Sequence, residues 1–470
     1  MAVESGEKAL LAAVSESRLT PVAAPAVQQA KTWPYKDFGT PGVVVDRREI
    51  AGTGATAVRF KNGVRLTVKP TAFKKDEILV RARFGEGVFG IPKSGPNPAW
   101  GIGGGGFTAG GLGQLTYEEL QEVLATVVGN VNAGIDEDAF TLSGKTRPED
   151  FATQLQLLAA YLSDPAWRPT MWDRLRSFSG TIHNQLETSP SGVFQRDSEA
   201  LLRSGDTRWA TPSREQMAAM TVADMRAVLE DDVRSGPLEV IVVGDISVDD
   251  AIRQTAAIFG ALPVRKPAQA ALPAQAMRFP APGTVTRSHG GREDQALAFI
   301  AWPTAGFYAD QRQTRGLNLL SQIIQLRLNA EIREKQGAAY SPNASHVASQ
   351  DSQGYGYMAA QIETPPTLVE GFYRDVMRIA QNLRDGPVEQ DELQRARKPL
   401  IENIQRQRAS SNEWWLGTLS KVQEQPARAE SIRIGLEQYA AITPAELQQL
   451  ARKYLVEPKA WKMTVVSQKK

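Results

Sequence analysis

The chain of 470 residues contains no cysteine. That excludes disulfides, thiolate zinc sites and a thiol nucleophile, and it suits either a reducing cytosol or an oxidising periplasm. Histidine is nearly absent as well, with only His183, His289 and His346. None has a second His four residues on, and none lies in an H-E-x-x-H or inverted H-x-x-E-H cluster. A metal site built by this chain therefore lacks paired ligands to start from. No G-x-S-x-G elbow occurs, so serine hydrolase chemistry has no support. Apolar runs such as VIVVG, Val240–Gly244, are far too short to span a bilayer. The N-terminus, MAVESGEKALLAAVSES, carries an early Glu and no basic stretch ahead of its short apolar segment. It does not read as a secretory signal. Net charge is only +2 and charges of both signs are interspersed, which leaves no footprint for nucleic acid or a membrane surface.

What is present is ordinary soluble composition, 42% hydrophobic and 23% charged, in a chain long enough for several domains. The first 40 residues read as a short helix, an Ala/Pro/Gln-rich connector and an aromatic–proline run, KTWPYKDFGTPG, with the composition of a connector. From Ala57 the pattern turns to strands. AVRFKNGVRLTVKP predicts a hairpin around Asn62-Gly63, and DEILVRARF follows as a third strand. TYEELQEVLATVVG predicts a helix opened by a Thr116/Glu119 capping box. Helices also fit PEDFATQLQLLAAYLSD, PTMWDRLRSFSGTIHNQLET and TVADMRAVLEDDV, and LEVIVVGD fits a buried strand.

The second half repeats this grammar. MTVADMRAVLEDDVRSGPLEVIVVGD has a counterpart in ITPAELQQLARKYLVEPKAWKMTVVS, each a Thr-capped helix, a loop and a β-rich strand. RPEDFATQLQLLAAYLSD is echoed by PPTLVEGFYRDVMRIAQNL. The fold class expected is α+β: two homologous α/β sandwich domains, each a mainly antiparallel sheet covered by helices. The expected layout is an N-terminal helix and connector over 1–45, a first domain over 46–262, a Pro/Ala-rich linker over 263–285 and a second domain over 286–470.

Two segments match G-x-G-x-x-G, starting at Gly85 and Gly101. A dinucleotide site needs a helix opening on the last glycine. Prolines in IPKSGPNPAW block one after the first segment, and the second lacks a preceding strand. Trp414-Trp415 suit core or rim packing of the second domain better than a peptide groove. Arg333 and Tyr340, in LRLNAEIREKQGAAYSP, straddle a helix end and the entry to an extended segment. By spacing alone they read as a helix C-terminus, with Arg complementing the dipole, Gly337 capping and Tyr340 opening a strand.

The run LNAEIREKQGAAYSP, with the helix TRGLNLLSQIIQLR before it, resembles the insulinase/pitrilysin family of zinc metallopeptidases at the segment carrying that family's functional arginine and tyrosine. The hairpin NGVRLTVKP, the stretch REDQALAFIAWPTAG and both helix–strand endings agree, so the resemblance covers residues 40–470. It implies an inverted-zincin fold in which two similar halves close as a clamshell, one bearing H-x-x-E-H and zinc, the other supplying Arg333 and Tyr340 across the chamber. After DEILVRARFGEG, where the metal motif would fall, this chain has IPKSGPNPAWGIGGGGFTAGGLGQL, with neither His nor Glu.

The resemblance therefore implies a non-catalytic half, with no cofactor of its own and zinc in a homologous partner half. The two halves would be joined in one longer polypeptide or remain separate subunits, acting on peptide substrates. The N-terminal stretch resembles the segment joining the halves in long bacterial members, which implies a periplasmic location. A catalytically inactive scaffold on the same fold is the alternative, and an autonomous metal hydrolase would require stoichiometric zinc in the isolated chain.

Overall fold

The structure, a computed structural model, describes residues 4–19, 31–95, 97–103, 105–268, 277–336 and 342–468. Met1–Trp33 form a unit of their own, with a helix at Glu4–Leu19. Pro34–Lys470 form the second unit, which contains both sheets. Its start is docked more firmly than its composition suggested. Tyr35 is buried, its hydroxyl donating to Asp164 (2.7 Å) and accepting from the Gln114 amide (3.0 Å).

Among the described residues twelve strands form two sheets. The first comprises β1 (Val44–Ile50), β2 (Ala55–Phe60), β3 (Arg65–Pro70), β4 (Ile78–Phe84), β5 (Asn132–Ile135), β6 (Phe140–Thr146) and β7 (Leu238–Gly244), in the order β1-β2-β3-β7-β4-β6-β5. The second comprises β8 (Gly283–His289), β9 (Ala296–Thr304), β10 (Asn343–Ala348), β11 (Gly356–Thr364) and β12 (Trp461–Ser467), in the order β10-β11-β9-β12-β8.

The duplication read from the sequence is visible in this order. In each sheet the last strand inserts between two early ones, β7 parallel to β3 and antiparallel to β4, β12 parallel to β8 and antiparallel to β9. The other pairs are antiparallel, and the first sheet adds β1 and β2 at one edge. The hairpin expected at Asn62-Gly63 joins β2 to β3, with Gly63 at φ +90° where a side chain would be strained.

Each sheet is covered on one face by helices of its own half and on the other by a helix of the opposite half. Alternation along β9 makes this plain. Ala296, Ala298, Ile300 and Trp302 join a core with the helices Gln311–Gln336, Val369–Asp385 and Pro444–Tyr454. Leu297, Phe299 and Ala301 instead meet Val193 and Phe194 of the first-half helix Pro190–Leu201. Reciprocally, Ala55, Ala57, Leu79, Ile241 and Val243 of the first sheet meet Trp415, Leu416 and Leu419 from the second-half helix Asn412–Thr418 and its end. The helices Phe151–Ser163 and Val248–Ile258 lie against the first sheet's strands as well. All seven residues of β7 are buried, since both its faces are covered.

Trp415 thus packs on the first sheet, not within the second domain as its position in the chain suggested. Its indole N–H donates to the Arg408 carbonyl (2.9 Å), and the Lys69 ammonium lies 4.1 Å from its ring.

Candidate active-site half and its relatives

Arg333 lies in the last turn of the helix Gln311–Gln336. Tyr340 and the surroundings of the Arg333 side chain fall outside the described residues. The helix before that segment and the chain after it are described. The helix is seated by Leu317, Leu320, Ile323, Ile324 and Leu328 in the core, and Arg327 makes a two-pronged ion pair with Glu392 (2.8 and 2.8 Å). Where the chain returns, the Gln325 amide donates to the Pro342 carbonyl (2.8 Å) and accepts from the Ala344 amide (2.7 Å). A single side chain of the helix therefore ties the start of β10 to it, two residues beyond Tyr340.

The stretch after β4 is built as packed turns. It holds three short helices, Gly87–Gly90, Ala99–Gly103 and Gly106–Ala109. A Cβ on Gly101 would lie 2.2 Å from the Trp172 ring, and one on Gly106 would lie 2.5 Å from Leu175 Cδ1. These glycines are required by close approach of their neighbours, and a histidine at either has no room. Asn97 donates to the carbonyls of Thr207 (3.1 Å) and Arg208 (2.9 Å), holding the middle of the stretch down. At Gly85, φ +68°, a Cβ would lie 2.2 Å from an Asp232 oxygen, and that carboxylate accepts from the Glu86 amide (3.2 Å). A carboxylate in the place of a phosphate argues against a nucleotide at this glycine motif.

The three histidines lie on separate elements. His183 is buried in the helix Pro169–Glu187, and burial holds its pKa below the usual value. His289, at the end of β8, is bonded to the Gln295 carbonyl (2.9 Å) and accepts from the Gly291 amide (3.1 Å), so it shapes a turn. His346 in β10 contacts Thr304 Oγ1 (3.0 Å) and Asn318 Oδ1 (2.7 Å), and burial lowers its pKa to about 4. Among the described residues no group of three or more His, Asp or Glu is placed to hold a metal ion. Those residues do not fit a zinc site.

A charged interior lies at the seam between the sheets, beside a cavity of about 500 Å³. Glu239 of β7 sits in register between Arg65 of β3 and Arg83 of β4. Arg83 pairs with Asp136 (2.5 Å), Asp138 (2.8 Å) and Glu239 (3.6 Å), and Arg65 pairs with Glu424. The Lys421 ammonium bridges Asp138 and Asp351, each at 2.6 Å, and Arg428 adds a bond to Asp351 (3.0 Å).

Burial opposes the Asp138 charge, but Arg83 and Lys421 outweigh it and lower its pKa to about 2. Asp351 is pushed up, by burial and by Asp138. Sequence reasoning missed this network, because its members are singly unremarkable charges up to hundreds of residues apart. The only local hint is the run Asp136-Glu137-Asp138 in the β5–β6 turn.

Residues 219–400 match the family described as the peptidase M16 inactive domain. Comparison with curated proteins gives no match. Among solved structures the chain is similar to the periplasmic protease PqqL from Escherichia coli, at 16% identity and TM-score 0.78, covering 98% of this chain and 50% of that one. It is similar at 13% identity and TM-score 0.76 to the ferredoxin protease FusC, solved as a point mutant in complex with Arabidopsis ferredoxin, again covering 98% and 50%. A peptidase M16 inactive domain from Pseudomonas fluorescens matches at 17% identity and TM-score 0.72, over 88% of this chain and all of that one.

The chain thus spans half the length of PqqL and FusC and the whole of the P. fluorescens domain. No described helix is long and apolar enough to cross a membrane. Residues 219–400 thus carry the signature of the peptidase M16 inactive domain, and the chain has the fold of one half of PqqL and FusC.

Proposed function

We propose that this chain is the non-catalytic half of a two-half zinc metallopeptidase, forming one wall of the substrate chamber and supplying Arg333 and Tyr340 to the site of a homologous zinc-bearing half. The observation that carries this is the stretch after β4. The segment IPKSGPNPAWGIGGGGFTAGGLGQL offers neither His nor Glu and is folded as packed turns closed by Trp172 and Leu175, on a fold shared with proteases of twice the length. Zinc held by the partner would polarise the scissile carbonyl of a peptide.

This chain's own contribution is donors. A tyrosine hydroxyl donates to the oxygen on which charge develops, and an arginine fork holds a substrate carbonyl in place. The pair has no nucleophile of its own, so it works only in an assembled enzyme. The partner is either joined to this chain or separate from it. The substrates are peptides or unfolded segments that enter a closed chamber, and the location is periplasmic, as for PqqL.

The test is pairing. The purified chain is mixed with a zinc-bearing half from the same source, and peptide cleavage and metal content are measured for each half and for the complex. The proposal expects cleavage by the complex and zinc in the partner half. A stable complex that cleaves nothing would favour the scaffold alternative, and stoichiometric zinc in this chain alone would contradict both.

A further inference from the structure

In the helix Glu4–Leu19 every residue from Lys8 to Leu19 is exposed. Leu10, Leu11, Val14 and Leu19 are among them, between 42% and 83% exposed. Leu10, Leu11 and Val14 stand at i, i+1 and i+4 and so share one side of the helix, with Ala13 at its border. Lys8, Ala12 and Glu16, four residues apart, run along the opposite side. A lone helix of 16 residues is marginal in water, because helices in proteins draw most of their stability from packing an apolar face. This one therefore calls for a surface to lie on.

Relatives of different length point to that surface. The P. fluorescens domain, a protease from Helicobacter pylori and a conserved protein from Enterococcus faecalis V583 are each matched over 99–100% of their own length, yet they cover only 88–89% of this chain. About a tenth of the chain has no counterpart in these half-length proteins. PqqL and FusC, at twice the length, cover 98% of it. At most about ten residues are then unmatched, fewer than the 16 of the helix. Met1–Trp33, a unit separate from the one that holds both sheets, fits the difference.

We propose that the side of the helix formed by Leu10, Leu11 and Val14 docks on the homologous zinc-bearing half and strengthens the pairing of the two halves. This rests on the reading of the chain as one half of a two-half peptidase. A second copy of the chain would cover the same side, but it would not explain why the helix has a counterpart where a further half is present. An anionic membrane surface gains nothing from a helix with three Glu against one Lys and one Arg. The helix supplies affinity and no group to the reaction, so its loss weakens assembly and leaves turnover of the assembled pair alone.

The experiment titrates the full chain with a zinc-bearing half from the same source and reads the Kd and the kcat of the saturated complex. Leu10→Ala, Leu11→Ala and Val14→Ala are combined in one variant, since alanine preserves helix propensity. That variant should bind at least about tenfold more weakly, with kcat at saturation equal to wild type. Lys8→Ala, on the opposite side, should bind as wild type does. An unchanged Kd in the triple variant would overturn the docking, while cleavage by the complex would leave the functional reading standing. A wild-type chain that binds no zinc-bearing half would overturn both. Loss of self-association in the triple variant, with an unchanged Kd for the zinc-bearing half, would assign the side to a second copy and overturn the docking as well.

Discussion

Asp138 is the residue on which the interior charges converge, and its behaviour with pH is predictable in sign. Its folded pKa of about 2 lies below the ordinary 3.8, because Arg83 and Lys421 outweigh its burial. The stability it contributes is therefore complete above 3.8 and lost as pH falls through about 2. Asp138→Asn should remove that acid-dependent part and lower stability near neutral pH by about 3 kcal/mol, since it leaves Arg83 and Lys421 short of a buried partner. Denaturant melts at pH 7 and pH 3 would show the difference. Gly101 gives a second test at this scale. Gly101→Ala drives a methyl into the Trp172 ring and should cost about 1–3 kcal/mol in the same assay.

At the scale of elements, the exchanged helices bind the two sheets into one body. Trp415 is the largest buried side chain delivered across this joint, so Trp415→Ala should cost about 3–5 kcal/mol in thermal or denaturant unfolding. That joint was invisible in the sequence, because a helix such as Asn412–Thr418 carries no sign of which sheet it covers. What was legible was local. Thr116 with Glu119, Thr221 with Asp224 and Thr443 with Glu446 each form the reciprocal cap expected of a helix start. The Asn62-Gly63 turn and the buried strand β7 were equally plain.

β1 escaped notice because VVDRREI is a largely exposed edge strand without apolar alternation. The packing of the turns after β4 was not legible locally, since Trp172 and Leu175 arrive from a helix some 70 residues on. Of the candidate site, the sequence offered Arg333 and Tyr340 as names on a helix end, and the structure adds Gln325, which ties the chain beyond them. Gln325→Ala should lower the stability of the isolated chain by about 1–2 kcal/mol by freeing two backbone groups.

At the scale of the whole molecule, the order of the strands repeats from one sheet to the other, and the chain matches half of proteases twice its size. Two halves of one ancestry allow one to hold the metal while the other is released from that duty. In the proposed division of labour this chain is the released half, and its glycines after β4 are closed over by Trp172 and Leu175. The contribution proposed for this half is Arg333, in the last turn of the helix Gln311–Gln336, and Tyr340. The most direct measurement is the turnover rate of the complex reconstituted with a zinc-bearing half, comparing wild type with Arg333→Ala and Tyr340→Phe. The account predicts a fall of about 10²–10³-fold in kcat for Tyr340→Phe, a clear loss for Arg333→Ala, and unchanged assembly and zinc content. Rates equal to wild type in both variants would contradict it.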